Sequence, residues 1–271
     1  MARIVALSSF VSRGHVGLRA LVPALERCGH DVIALPTVTF SSHAAYPHVA
    51  GHALEPGQLE RMAAAIDANG WLTADMVITG YLPSPTHVTF AADLVDRIRR
   101  RSPGATYVCD PVLGDEPRGL YLPAETAALV KTGLLPRAQV ITPNAFELGW
   151  LANRSIANVD DAIKAAKALN IPMVLATSIA AGPGHLATML ASGGGAVLTR
   201  VARRASAPSG TGDLLTGLFA GLLASGSAAQ EALAVSSAWL DEILTTNADS
   251  DDLSLDRLYA APPTGLLVAP V

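Results

Sequence analysis

Short runs rich in valine and isoleucine alternate along this chain with longer stretches in which apolar residues return every three or four positions. The runs are residues 3–9 (RIVALSS), 31–37 (DVIALPT), 75–81 (DMVITGY), 106–111 (TYVCDP), 139–144 (QVITPN) and 172–178 (PMVLATS). Each is brief, β-branched and closed by polar or turn residues, which predicts a buried strand. Residues 17–28, 57–69, 85–101 and 159–169 carry the three- and four-residue spacing and predict helices. Strand and helix in alternation predict a parallel sheet with right-handed crossovers and helices on both faces.

After residue 180 the pattern changes. HLATMLAS and AVLTRVAR flank a run of three glycines, Gly193 to Gly195, which predicts a β-hairpin. Two helices follow, over about 211–224 and through 228–246. The polar segment 247–252 (NADSDD) reads as a loop, and the tail after about 260 as loosely held. No repeat and no linker divides the chain, so residues 1–271 read as a single domain.

Composition narrows the field. Half of the residues are hydrophobic and only 5% are aromatic, which suits aliphatic packing between helices and sheet. The net charge is −4, and the clustered cations are Arg99 to Arg101, placed to close a helix, and the pair Arg203 and Arg204. Nucleic acid is therefore not an expected partner. Cys28 and Cys109 have no metal-binding spacing, so reduced thiols and a cytoplasmic location are expected. No apolar run approaches the ~20 residues of a membrane span, and the first residues read as a strand rather than a secretory leader.

Ligands of open α/β sheets bind beyond the carboxyl ends of the strands. Those ends carry Ser8 and Ser9, Gly80 and Tyr81, Asp110, Thr142 and Asn144, and Thr177 and Ser178. The segment PSGTGDLLTGLFAG, from Pro208 to Gly221, adds a glycine-rich turn at the mouth of an apolar helix. Gly210 and Gly212 leave backbone N–H groups uncovered where the helix dipole is positive, which fits an anion hole for a phosphate. Asp213 in the first turn then has two readings: a residue that favours the dipole, or the base that takes the proton of an attacking hydroxyl. Gly217 and Gly221 leave one stripe of this helix bare for a close neighbour. CDPVLGD brings Asp110 and Asp115, and TPNAFELG brings Asn144 and Glu147. These oxygens suit Mg²⁺ with phosphates. Asp110 can equally be a turn residue, and Asn144 with Glu147 a helix cap with its capping-box partner.

GTGD after a late hairpin, CDPVLGD, TPNAFEL, TGYLPS (79–84) and VTFSSHAAY (38–46) together resemble the pyridoxal kinases of the ribokinase superfamily. The resemblance runs in order from about Ala6 to Thr246. It implies a ribokinase-like three-layer α/β sandwich with a mostly parallel central sheet, helices on both faces, and a small lid or flap near residues 38–52. It implies transfer of phosphate from ATP to the 5′-hydroxymethyl group of pyridoxal, pyridoxine or pyridoxamine, with Mg²⁺ and a monovalent cation, K⁺ or Na⁺. Asp213 would be the base, with Gly210, Thr211 and Gly212 lining the anion hole. Asp110, Asp115, Glu147 and Thr142 would organise metal. Asp115, Tyr121, Asn144, Thr177 and Ser178 would meet ATP. Ser9, Val16, Phe40, His43, Tyr81 and Asp213 would meet the vitamin. A homodimer is also implied.

The chain departs from that family at Leu18, where asparagine is common, at Thr39, where glutamine is usual, and at Ser42 and Ala44 in FSSHA. The departures cluster around the vitamin end. They keep open a kinase of another hydroxymethyl substrate, such as hydroxymethylpyrimidine, and a non-catalytic vitamin B6 binder. His15, His48 and His52 read as ordinary surface histidines, and Cys109 as buried and inert.

Overall fold

The computed structural model describes residues 1–247 and 252–271. The strands are β1 (Arg3–Val11), β2 (Asp31–Phe40), β3 (Gly51–Ala53), β4 (Met76–Thr79), β5 (Thr106–Cys109), β6 (Gly114–Asp115), β7 (Gly119–Leu120), β8 (Val140–Ile141), β9 (Met173–Ala180), β10 (His185–Ser192), β11 (Gly195–Ala202) and β12 (Ala269–Pro270). The helices are α1 (Leu18–Arg27), α2 (Pro56–Ala68), α3 (Pro85–Arg101), α4 (Ala124–Leu129), α5 (Ala145–Ala152), α6 (Val159–Leu169), α7 (Thr211–Ala224) and α8 (Ala229–Thr246).

Ten strands form one sheet in the order β12-β11-β10-β9-β8-β5-β4-β1-β2-β3. From β2 to β9 neighbouring strands run parallel, and the outer pairs β2–β3, β9–β10, β10–β11 and β11–β12 are antiparallel. β6 and β7 make a separate two-stranded ribbon over the end of β5.

The period of two along each strand sorts the core into layers. Val5, Leu7, Val77, Tyr107, Ile141, Val174 and Ala176 pack with residues of α2 to α6. Their neighbours Ile4, Ala6, Met76, Ile78, Val108, Val140 and Leu175 face the other way, against α1, α7 and α8. The result is the mixed α/β fold expected, a mostly parallel sheet between two helical layers. The bare stripe of α7 meets α1: a Cβ at Gly217 would lie 2.7 Å from the Ala24 Cβ, and one at Gly221 2.8 Å from the Cys28 sulfur. The arginine triplet closes α3 as expected.

Several expectations change. The strands expected over 75–81, 106–111 and 139–144 shrink to their apolar centres, because their polar ends turn toward the site. β9 continues past Ser178, which takes φ +59° at a register shift against β10. The tail expected to be loose is docked. β12 pairs with β11, Leu266 N–H donates to the Ala234 carbonyl, and Val271 N–H to that of Ala196. The apolar residues among the prolines cover an otherwise open sheet edge. Of the loop expected over 247–252, positions 248–251 lie outside the described residues. Among the described residues no helix is long and apolar enough to cross a membrane.

Candidate active site

The parallel strands deliver their carboxyl ends to one edge, where the β1–α1 turn meets the loop entering α7. Gly210 caps α7 at φ +96°, and a Cβ there would fall 1.8 Å from the His15 carbonyl oxygen. Gly17 precedes α1 at φ +56°, and a Cβ there would fall 2.2 Å from both oxygens of Ser9. Glycine is required at both, for its backbone freedom and for its missing side chain. Gly212 differs: a Cβ there would have nothing within 4 Å. No residue at the N-cap of α7 offers a side-chain cap, so its start keeps the open, positive character that suits an anion.

Asp213 is the third residue of α7. Burial raises its pKa to about 6, against the N–H groups of Gly17 and of Asp213 itself, which favour the charged form. A carboxylate tuned upward beside an open glycine turn has the properties of a general base near neutral pH. Thr211, at the first position of α7, is half-buried beside it.

Asp110 follows β5 and is buried, with its N–H bonded to the Thr79 carbonyl at 2.8 Å. Burial, then the charges of Asp213 and Glu147, push its carboxyl well above the usual range. Thr142 follows β8 and is buried next to it. Asn144 caps α5: its side chain accepts the Glu147 N–H at 2.9 Å, and its amide donates to the Gly114 carbonyl at 2.8 Å. Glu147 returns a bond to the Asn144 N–H and accepts from Leu113 and Gly114 N–H groups. The capping-box alternative is thus realised, and Glu147 spends both oxygens on backbone, tying the 113–115 ribbon to α5. Burial raises its pKa to about 8 against those three N–H groups.

Asp115 lies on that ribbon, and its Oδ1 is buried with no hydrogen-bond partner among the described residues. Burial and then Asp115 raise the pKa of the half-exposed Tyr121. Among the described residues no three His, Cys, Asp or Glu side chains close into a ready-made metal cage. An orphaned carboxylate oxygen beside Glu147 instead suits a hard cation that keeps waters and shares oxygens with a phosphate. Thr177 joins the same edge, bridged to Asn144, with its N–H on the Pro143 carbonyl. Ser178 stands exposed beyond it.

The other half of the edge is looser. Ser8 accepts the Tyr81 N–H at 3.1 Å, and Thr37 donates to the Tyr81 carbonyl at 2.8 Å. Ser9 backs Gly17, and Val16 backs Gly210. Phe40 ends β2, opposite Gly51. His43 rides on the β2–β3 connection, with its Nδ1 3.4 Å from the Ser209 hydroxyl. Burial and then Arg118 lower its pKa, opposed by Asp115. Tyr46 donates to Asp252 at 2.6 Å, and Arg13 pairs with the same carboxylate at 3.1 Å. Ala44 is exposed there. Leu18, by contrast, is buried in the core beside α7, so its departure from the family is absorbed in packing. His15 is no idle surface residue: it bonds the Leu253 carbonyl. Cys109 is buried and inert, its pKa pushed up to about 12.

Three contributors escaped the sequence reading. Gly17 was visible in RGHVGL but carries no dinucleotide-type spacing. Thr216 was legible as the single polar residue between Leu214 and Ala224. Asp252 left no signal, because its partners come from loops far away in sequence.

A family profile described as phosphomethylpyrimidine kinase matches residues 42–254. The pyridoxal kinase PdxY of Deinococcus radiodurans is 35% identical over 254 residues, covering 89% of this chain and 85% of that protein. The pyridoxine/pyridoxal/pyridoxamine kinase of Bordetella avium is 34% identical over 259 residues, covering 92% and 88%. The structure of pyridoxal kinase from Leishmania donovani in complex with ADP and pyridoxamine matches with a TM-score of 0.90 at 28% identity, over 99% of both chains.

Proposed function

This chain belongs to the pyridoxal kinases of the ribokinase-like superfamily, and from that premise we propose that it moves the γ-phosphoryl group of ATP onto the 5′-hydroxymethyl group of pyridoxal and its sister vitamers. The observation that carries the reading is the open turn at Gly212 with the upward-tuned carboxylate of Asp213 beside it. Asp213 takes the proton of the 5′-hydroxyl, the 5′ oxygen forms its bond to phosphorus, and the bond to the ADP oxygen breaks. Backbone N–H groups of residues 210–212 hold the transferring oxygens, whose charge they and the helix dipole balance.

Mg²⁺ supplies further charge neutralisation on the phosphates. Asp110 and the orphaned Oδ1 of Asp115 would hold it, with Glu147 fixing the ribbon that carries Asp115 and Thr142 adding a neutral oxygen. Thr142 and Thr177 also suit a monovalent cation. Tyr121, Asn144, Thr177 and Ser178 flank the nucleotide in this reading. Ser9, Val16, Phe40, His43 and Tyr81 line the vitamin, and the 38–52 hairpin covers it. We read the working form as a cytoplasmic homodimer, on the family resemblance and the free state of both cysteines.

The hydroxymethylpyrimidine and non-catalytic alternatives are not favoured, since the Deinococcus and Bordetella relatives, each matching about nine-tenths of the chain, are vitamin B6 kinases. A panel of hydroxymethyl compounds incubated with ATP and Mg²⁺, read by product mass, tests the assignment. Phosphorylated pyridoxal, pyridoxine or pyridoxamine is expected. A phosphorylated pyrimidine alone, or no product, overturns it.

A further inference from the structure

Thr216 is 2% exposed, in the second turn of α7, where every other residue from Leu214 to Ala224 is apolar or glycine. A threonine hydroxyl inside a buried helix normally turns back onto a carbonyl of the preceding turn. This one leaves its helix. Its Oγ1 lies 2.9 Å from the Thr142 hydroxyl and 3.3 Å from Asp110 Oδ2. Thr216 is the donor in both contacts, its one proton shared between the Thr142 oxygen and the carboxylate.

The position of this contact gives it meaning. Asp213 sits one turn earlier on the same helix; α7 is otherwise held by apolar packing, much of it against α1, and by two polar ties, the Gly17 N–H to Asp213 and His30 Nε2 to the Gly221 carbonyl at 2.7 Å, neither of which reaches β5 or β8. Apolar packing fixes distance well and rotation or sliding poorly, because it has no preferred direction. Asp110 and Asp213 also repel one another. A directional tie between α7 and the ends of β5 and β8 therefore supplies what packing leaves out.

Resting on the reading of Asp213 as base and Asp110 as metal-organising, we propose that Thr216 is a positioning residue for phosphoryl transfer. It sets α7, with its anion hole and base, in register against Asp110 and Thr142. The cost of losing it falls on turnover and on the metal-assisted binding of nucleotide, and spares the vitamin, which none of its contacts reach.

The experiment compares Thr216→Val, which keeps the volume, with Thr216→Ser, which keeps the hydroxyl. For each, kcat and KM are measured, together with the affinity for ADP as a function of Mg²⁺ concentration by calorimetry. Thr216→Val should lower kcat roughly tenfold, well inside the ~10²-fold that a 1 Å misplacement at a reacting centre can cost. It should raise the Mg²⁺ needed for half-maximal ADP affinity severalfold and leave KM for pyridoxal within about twofold. Thr216→Ser should recover both properties. If the valine variant does not fold, Thr216→Ala makes the same comparison against serine. Wild-type kcat and Mg²⁺ demand in the variant without the hydroxyl overturn the proposal, as does a serine variant equally impaired. The ADP arm needs no vitamin, so it judges Thr216 separately from the identity of the phosphate acceptor.

Discussion

The loop that enters α7 and the hairpin that carries His43 close the same end of the sheet by opposite means. The first is clamped. Gly210 and Gly17 touch opposing backbone so closely that no side chain fits, and the carboxylates behind them, Asp110 buried and Asp213 half-buried, are shifted upward in pKa. The second is loosely built. Its residues 44–45 and 47–52 are exposed, and it is held by polar contacts such as Tyr46 with Asp252. Buried, over-determined geometry suits a reaction whose charges must be met at fixed positions. An exposed segment tolerates change, and there the chain departs from its family at Ala44, while the departure at Ser42 is buried. In the proposed reading, reaction class is written in the rigid half and substrate preference in the adaptable one.

The largest test breaks the rigid half at its base. Asp213→Asn should lower turnover by about 10²–10⁴-fold, the usual worth of general-base help. Wild-type kcat/KM should fall as pH drops through about 6, where Asp213 gains its proton, and that limb should vanish in the variant. The linkage sign adds a check. A carboxyl whose folded pKa is raised costs stability once the pH exceeds its unfolded value, so the variant should melt no lower than wild type at pH 7. A clear drop in melting temperature with normal turnover would restore the helix-start reading of Asp213.

The two glycines of the same turn should then separate. Gly212→Ala has open space for its methyl group and gains helix propensity, so it should melt at or above the wild-type temperature. Its turnover should still fall tenfold or more, on the order of losing one oxyanion donor, because the methyl group enters the space read as the phosphate's. Gly210→Ala should lose stability, by about 1–3 kcal/mol for the backbone alone and more for the clash with His15. Equal melting temperatures for the two variants would contradict the geometry.

Glu147→Gln puts an amide NH₂ in place of one of the two oxygens that together accept three backbone N–H groups. Loss of hydrogen bonds there, about 0.5–1.5 kcal/mol each, should loosen the ribbon bearing Asp115. Severalfold more Mg²⁺ should then be needed for half-maximal rate, with binding of free pyridoxal unchanged. Full activity of the wild type in excess chelator would remove the metal from the scheme. The smallest effect is expected in the adaptable half. Ala44→Thr returns a hydroxyl worth about 0.5–1.5 kcal/mol, and should lower KM for pyridoxal severalfold while that for ATP stays put. An unchanged KM would mean that the exposed hairpin reads the ring through other atoms.

What the sequence disclosed follows from the range of the interactions. Strand centres, helices and the hairpin were legible because periodicity is local. The edge that carries Asp110, Thr142, Asn144 and Thr177 was legible because parallel strands put their ends together. Glu147 shows the limit: its capping pattern with Asn144 is local, but its grip on Leu113 and Gly114 spans more than thirty positions and left no trace. The docked tail was misread for the same reason. Nothing within residues 261–271 announces the strand β11 that receives it.

The clamp between Gly210 and His15 also dictates when the glycine turn before α7 can exist. Its two sides lie nearly two hundred positions apart, and Arg27 of α1 closes onto the Leu258 and Ala260 carbonyls across a still longer span. Contacts so distant in sequence form late, since the chain between them must be ordered first. During synthesis the sheet strands from β1 to β9 emerge ahead of the helix that carries Asp213. A partly made chain therefore has its acidic edge but not the glycine turn, and the proposed site is complete only when the last quarter folds back onto the first helix.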